Sequence, residues 1–422
     1  MATLSSRSFR DPRGAVAFRL LGIVIVSVSV ACGPAPDTVE WAGTVRDSAG
    51  VAIVENTLPG LWSDSDGWTL VEELRIGGIG GDLPYQFGQV GTIAVDSEGH
   101  IFVSDGQAQE VRVFSADGRH LRTMGRPGSG PGELGLGASV VLLTKGDTLL
   151  VPDARNRRIN RFSPEGESLG SVPLEPEKGR PLRYNLTSTG GMTVQLRPVS
   201  LPNGSQAETM DAVVVIEPSG LFGDTLLRLP TGGLFQGPGI HYFTPEPIWE
   251  VTDSLTVLYG MNSEYRIGFY DGQGSLRRVV GMPSEPQPIT DRDIRAFFAY
   301  LDRAWLDAGV PPSRLSANHA NVHFAEFLPV FSTFHTGYLG SLWVQPVQAP
   351  GLLSDEEIEL YSFVEDFGAS DWDVFDCEGR FLGEVRMPSR FNPRIFIGDR
   401  IYGVARDDLD VQYVVRLRIV DG

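Results

Sequence analysis

The sequence is poor in cysteine. Its 422 residues include only Cys32 and Cys377, so the chain can form one internal disulfide at most. A chemical modification of Cys32 would exclude even that one. Cys377 lies in the predicted turn Asp376–Gly379, and no histidine or asparagine stands at a telling spacing from it. The pattern therefore does not indicate a cysteine nucleophile.

Basic residues are scarce relative to acidic ones. The chain has 35 lysines and arginines against 53 aspartates and glutamates, which leaves a formal net charge of −18. A surface of this charge repels phosphate backbones, so we expect no nucleic-acid partner.

The N-terminal apolar run is too short to cross a bilayer. Leu20–Ala31 has 12 residues, whereas a membrane-spanning helix needs about 20. Four arginines precede this run: Arg7, Arg10, Arg13 and Arg19. A positive stretch followed by a short apolar one is typical of a signal peptide, which we predict over residues 1–31.

The end of this segment, Ser29–Gly33, resembles the cleavage motif of bacterial lipoproteins. The resemblance implies that Cys32 becomes the first mature residue and carries the lipid, with residues 32–66 as a tether and extended segment. We therefore expect a protein anchored to a membrane of the bacterial cell envelope. Ser29 stands where such motifs usually have leucine, so ordinary cleavage and a soluble secreted or periplasmic protein remain the alternative.

Glycine and proline are plentiful, and the strands they separate are short. Within Phe87–Leu134 the pattern predicts four strands: Thr92–Val95, Ile101–Ser104, Val111–Phe114 and Leu121–Met124. Asp117-Gly118 between the last two is a strong signal for a two-residue hairpin. A four-stranded sheet with two apolar faces needs similar sheets on both sides, which a β-propeller supplies.

The same unit recurs along the chain. The apolar residue before the last turn of each unit recurs at intervals of about 50 residues, a spacing typical of propeller blades. These residues are Phe114, Phe162, Ile216 and Phe269. The next one, Phe375, comes after about twice that interval, which indicates an insertion between blades 4 and 5.

A helix over Thr290–Val310 accounts for this insertion, which spans about residues 289–326. Thr290 is a suitable N-cap, and apolar residues recur on one face of the helix. Its aromatic side chains are a candidate binding surface: Phe297, Phe298, Tyr300 and Trp305. The alternative is that this face packs on the propeller and caps its channel.

The two ends of the chain complement each other. The C-terminal region predicts three strands, Arg394–Ile397, Arg400–Ala405 and Gln412–Val420, where a blade needs four. Trp68–Ile76 is a strand without a partner before it. We predict that it becomes the outer strand of the last blade, so that residues 67–422 form an all-β, six-bladed propeller without free edges in the ring.

Three segments carry a family resemblance: Val95–Asp105, Val111–Gly118 and Gly125–Glu133 resemble an NHL repeat. The whole chain resembles the six-bladed, TolB-like propellers found as bacterial lipoproteins. The resemblance implies the fold. It does not imply one activity, because members of the family include binding modules, lyases and lactonases.

Few residues indicate chemistry. His319, His323 and Glu326 are weak candidates for a metal site, because Ala320 stands where the H-E-x-x-H motif has glutamate. Gly125–Gly132 is glycine-rich but lacks the lysine of a phosphate loop. No set of acid, asparagine and histidine stands out on the predicted innermost strands. We therefore predict no cofactor.

Three hypotheses follow from the sequence. The first is a non-catalytic, lipid-anchored, extracytoplasmic binding or scaffolding propeller whose channel face meets a peptide, glycan or protein partner. The second is a metal-dependent extracytoplasmic hydrolase or lyase with its site in the central channel. The third is a structural component of the envelope.

Overall fold

The structure is a computed structural model that describes residues 40–63, 66–187, 190–198, 210–233, 239–363 and 367–422. The predicted signal peptide and Cys32 lie outside the described residues. Within the described ranges, no helix is long and apolar enough to cross a membrane.

Three strands precede the first complete blade: β1 (Thr44–Ser48), β2 (Val51–Glu55) and β3 (Thr69–Ile76). Blade 1 consists of β4 (Val90–Val95), β5 (Ile101–Asp105), β6 (Glu110–Phe114) and β7 (His120–Met124). Blade 2 consists of β8 (Leu142–Leu143), β9 (Leu149–Asp153), β10 (Arg158–Phe162) and β11 (Ser168–Pro173). Blade 3 consists of β12 (Arg180–Leu186), β13 (Met192–Arg197), β14 (Met210–Ile216) and β15 (Phe222–Pro230).

A short strand, β16 (Ile240–Tyr242), leads into the second half of the ring. Blade 4 contains β17 (Pro247–Val251), β18 (Val257–Met261), β19 (Arg266–Tyr270) and β20 (Leu276–Gly281). The insertion follows, with α1 (Asp291–Asp307), α2 (Leu315–His319) and β21 (Val322–Phe324). Blade 5 contains β22 (Phe331–Thr336), β23 (Leu342–Pro346), β24 (Asp371–Phe375) and β25 (Phe381–Arg386), with α3 (Asp355–Leu360) between its second and third strands. Blade 6 contains β26 (Phe391–Ile397), β27 (Arg400–Arg406) and β28 (Gln412–Val420).

The predicted six-bladed propeller is confirmed. Strands within each blade pair with their sequence neighbours, and the first strand forms one edge of the sheet. First strands of neighbouring blades contact each other, as β17 does with β22 and β26 with β4. The first strands therefore form the inner wall of the ring.

The predicted closure of the ring is also confirmed. β3 pairs antiparallel with β28, from Ile76 opposite Val414 to Thr69 opposite Val420. It is the fourth strand of blade 6. Ile76 is buried with Phe114 of blade 1, so the same strand also closes the apolar junction between the last blade and the first.

Blade 4 is larger than the sequence pattern indicates. The hairpin of β1 and β2 adds to its outer edge, because β2 pairs in parallel with β20, with Ile53 opposite Val279. Asn56, which follows β2, is buried and bonds to the main chain of two blades. Its amide donates to the carbonyls of Gly281 in blade 4 and Gly379 in blade 5.

A buried carboxylate stabilises blade 1. Asp105, at the end of β5, accepts hydrogen bonds from four backbone N–H groups at 2.8–3.1 Å. Their residues are Gly88, Gln89, Gln107 and Ala108. Arg112 lies 3.3 Å from the same carboxylate. Asp153 occupies the corresponding position in blade 2, where it accepts from the backbone of Gly135 and Asn156.

The predicted helix of the insertion is confirmed as α1. The Thr290 hydroxyl accepts from the N–H of Asp293, and the Asp293 carboxylate accepts from the N–H of Thr290, which is a complete capping box. The helix packs in an aromatic cluster with Phe243 and Leu328 from the loops around blades 4 and 5. β16 and β21 pair in parallel beside it.

Candidate functional site

A cavity of about 790 Å³ lies at the centre of the ring. Its wall includes residues from the innermost strand of every blade: Thr92, Leu142, Asn185, Glu250, Thr336 and Ile395. Because these strands come from distant parts of the chain, the wall exists only when the ring is closed.

The rim of the cavity is formed by turns between first and second strands. Ser254 lies in the turn after β17, Gly340 in the turn after β22, and Gly398 in the turn after β26. The fourth strand, β20, runs away from this side to the opposite face, where the connection to blade 5 begins. The insertion and the cavity rim are therefore on opposite faces of the ring, and no lining residue belongs to the described segment 289–326.

Glu250 is a buried acid that joins blades 4 and 5 at this wall. Its carboxylate accepts hydrogen bonds from His335 Nδ1, from the Thr336 N–H and from Thr336 Oγ1, each at 2.7 Å. Burial by itself raises the pKa of Glu250, but these hydrogen bonds outweigh it and hold the pKa below its usual value. Glu250 is therefore a carboxylate whose oxygens are already engaged.

The imidazole of His335 is held in place on two sides. Its Nδ1 bonds to Glu250, and its ring lies between Trp372 and Phe396, with ring centres 5.9 and 5.3 Å away. Since an ionised carboxylate only accepts, Nδ1 carries the proton in this bond. His335 also lines the cavity. The arrangement is that of an imidazole oriented by a carboxylate.

Arg183, on β12, brings a guanidinium to the same wall. Its Cζ lies 5.5 Å from the ring centre of Trp249, and the Trp249 indole is fixed by a 2.7 Å hydrogen bond to Gln195. Burial lowers the pKa of Arg183, whereas the charge of Glu250 acts in the opposite direction. The guanidinium remains protonated, because arginine does not lose its proton in proteins.

The cavity is more basic than the rest of the molecule. Four arginines and three acids line it, in a chain whose net charge is −18. The arginines are Arg183, Arg277, Arg278 and Arg394, and the acids are Glu250, Asp253 and Asp271. Arg277 pairs with Asp271 at 2.6 Å, and Arg278 donates to the carbonyl of Cys377 at 2.5 Å.

The predicted aromatic surface on the helix is partly an interior one. Phe297 is fully buried, so its ring has no surface to offer a partner. Phe298, Tyr300 and Trp305 are half-buried and pack in the same aromatic cluster. The role of these three side chains in binding stays a prediction.

The two histidines among the weak metal candidates, His319 and His323, have separate surroundings. His319 Nε2 bonds to Asp302 at 2.7 Å, and its ring packs against Phe298. His323 faces the ring of His241 at 4.8 Å. Nowhere in the described ranges do three or more His, Cys, Asp or Glu side chains form a group placed to hold a metal ion.

Sequence reasoning missed Arg183, Glu250 and His335. They lie on the first strands of blades 3, 4 and 5, and no motif joins them because long stretches of chain separate them. Only Glu250 stands on an otherwise apolar strand, β17. The strands of Arg183 and His335 carry several other polar residues, so the sequence held no signal that singles out all three.

Comparisons with known proteins agree on the fold. No family model and no curated protein matches the sequence. A solved exported-protein candidate from Bacteroides fragilis aligns over 87% of this chain and 99% of its own, with 12% identity and a TM-score of 0.50. The chain is a six-bladed β-propeller. At this identity the likeness shows the fold alone, and the NHL and TolB-like assignments stay predictions.

Two further solved structures align less closely. A DUF4221 family member from Bacteroides vulgatus has 11% identity and a TM-score of 0.48, over 85% of this chain and 100% of its own. Virginiamycin B lyase from Staphylococcus aureus has 12% identity and a TM-score of 0.43, over 84% and 100%.

Proposed function

We propose that this protein binds a small ligand, a peptide or a glycan fragment, in the central cavity of the propeller. The observation that carries the proposal is the cavity itself: about 790 Å³, open at one rim and lined by polar side chains from several blades. Ligand sites are typically about 300–1,000 Å³ in volume, apolar in large part, with a few convergent polar groups. The wall of this cavity has both apolar side chains and convergent polar ones.

A second function is favoured by one feature of the wall. An imidazole whose Nδ1–H donates to a buried carboxylate leaves Nε2 available as a general base, which is the usual arrangement in acid–base catalysis. His335 and Glu250 have this geometry. A hydrolase or lyase acting in the cavity is therefore the alternative, and conversion of a bound ligand that ceases in His335→Gln would favour it.

The binding proposal is tested by placing a bulky side chain at the rim of the cavity. Peptides and oligosaccharides are first screened for binding to the full chain by ligand-observed NMR. Ser254→Trp then adds a large ring at an exposed position of the rim. We expect ligand affinity to fall at least about tenfold, because the ring excludes the ligand from the mouth of the site.

Leu306→Trp is the matched control. Leu306 is 43% exposed on α1, on the opposite face, so the same ring is added away from the cavity. This variant is expected to bind as the wild type does. If Leu306→Trp weakens binding and Ser254→Trp does not, the ligand lies at the insertion and the cavity proposal is wrong.

We also propose that Cys32 carries a lipid that anchors the protein in the bacterial envelope. The arginine-rich start, the short apolar run and the position of Cys32 support this. Mass spectrometry of the membrane-extracted protein is expected to find residues 1–31 removed and a diacylglyceryl group on Cys32. A disulfide-linked peptide that joins Cys32 to Cys377 would contradict the proposal, because a thioether-linked sulfur cannot also form a disulfide.

A further inference from the structure

The guanidinium of Arg183 is a charge without a hydrogen-bonding partner. In the part of the chain that the structure describes, no hydrogen bond or ion pair involves this side chain, and its polar contact is with the face of Trp249. The side chain lines the cavity and is partly buried. The N–H donors of this guanidinium are therefore not engaged by the described wall of the cavity.

Glu250 does not accept a hydrogen bond from Arg183. Its charge acts on Arg183, but its oxygens already accept the three bonds from His335 and Thr336. Other arginines of the wall differ in this respect, because Arg277 pairs with Asp271 and Arg278 bonds to a carbonyl. The N–H groups of Arg183 therefore remain available to an acceptor that enters the cavity.

Trp249 supports the guanidinium from one side. The buried indole is held by its bond to Gln195, and the Cζ of Arg183 lies 5.5 Å from the centre of its ring. A guanidinium presents its N–H groups in one plane, which matches two oxygens of a planar anion. An anion in the cavity can therefore accept two parallel hydrogen bonds from it.

We infer that Arg183 binds a carboxylate group of the cavity ligand. The ligand is then a peptide with a free C-terminal carboxylate or a sugar that contains a uronic acid. This inference deepens the proposed function and rests on it. A carboxylate fits better than a phosphate monoester, because the nearby negative charge of Glu250 repels a dianion more strongly than a monoanion. The peptide and the sugar offer Arg183 the same group, a planar carboxylate.

The test uses matched pairs of compounds and the full chain. N-acetyl tripeptides are prepared as free acids and as C-terminal amides, and disaccharides with a uronic acid are compared with their neutral counterparts. Affinities are measured by isothermal titration for wild type, Arg183→Gln and Arg183→Lys. Arg277→Gln is the matched control, since it removes the same charge from a residue of the same cavity.

We expect the acids to bind wild type at least about tenfold more tightly than their neutral partners, as a charge-assisted bidentate bond implies. Arg183→Gln should remove this preference while leaving the weak affinity for neutral compounds, and Arg183→Lys should retain part of it. Arg277→Gln should keep the preference. Thermal melting verifies that all variants are folded.

Two results would overturn the inference, and they can be told apart. If neutral compounds bind as tightly as acids, bind equally to Arg183→Gln, and are excluded by Ser254→Trp, the cavity binds ligands but Arg183 does not select a carboxylate. If no compound of either class binds, the inference and the proposed function both fail.

Discussion

Replacing Thr69–Ile76 by glycine and serine residues of equal number is expected to abolish the single cooperative unfolding transition of the propeller. The replacement removes the strand that completes blade 6 and leaves the full length of β28 as an open edge. It also removes Ile76 from the apolar junction between blades 6 and 1. We expect the free energy of unfolding to fall by at least about 5 kcal/mol, which is comparable to the whole stability of many domains.

A matched variant restores the strand at the other end of the chain. Thr69 lies opposite Val420, so a copy of Thr69–Ile76 placed after Gly422 can pair with β28 as a hairpin. The natural Asp421-Gly422 then forms the two-residue turn, a pair suited to it. Urea unfolding followed by circular dichroism should show one transition again. Equal stability of the replaced and restored chains would contradict the role of β3.

Asp105→Ala is expected to destabilise the protein by about 3–5 kcal/mol, because it leaves buried groups without their acceptor. The carboxylate is fully buried and accepts from four backbone N–H groups. The guanidinium of Arg112, itself 5% exposed, loses the nearby charge at 3.3 Å. Arg112 still donates hydrogen bonds to Glu110 and to two carbonyls, so it loses only some of its stabilising contacts.

Asp117→Ala provides the control for this measurement. Asp117 is an exposed carboxylate in the last turn of the same blade, so its removal should destabilise the protein far less than the removal of Asp105. Asp105→Asn keeps one acceptor oxygen and should fall between the two. Guanidinium chloride unfolding measures all three. The explanation is wrong if Asp105→Ala is no less stable than Asp117→Ala.

The architecture could be predicted in detail because its signals are local. Asp117-Gly118 marks a hairpin through the conformational freedom of glycine, and Thr290 marks the start of α1 through its side chain. Even ring closure could be predicted, because β3 has no partner in its own neighbourhood and the C-terminal blade has only three strands of its own. These signals act over a few residues, or come from counting strands.

The attachment of β1 and β2 to blade 4 could not be predicted in this way. β2 pairs in parallel with β20, more than two hundred residues later, and nothing local to either strand specifies that register. The buried position of Phe297 was likewise undecided, because an apolar helix face has the same pattern whether it meets the protein or a partner. The aromatic loops that cover it come from other blades.

The sequence by itself determined the blades, their number, the inserted helix and the strand that closes the ring, because hairpin turns and alternating apolar residues act at short range. Only the tertiary structure decided the site. Arg183, Glu250 and His335 belong to three blades, and they meet because closure brings the first strands together around one axis. Arg183 is a candidate binding residue because of the groups around it, and these groups come together only when the ring has folded.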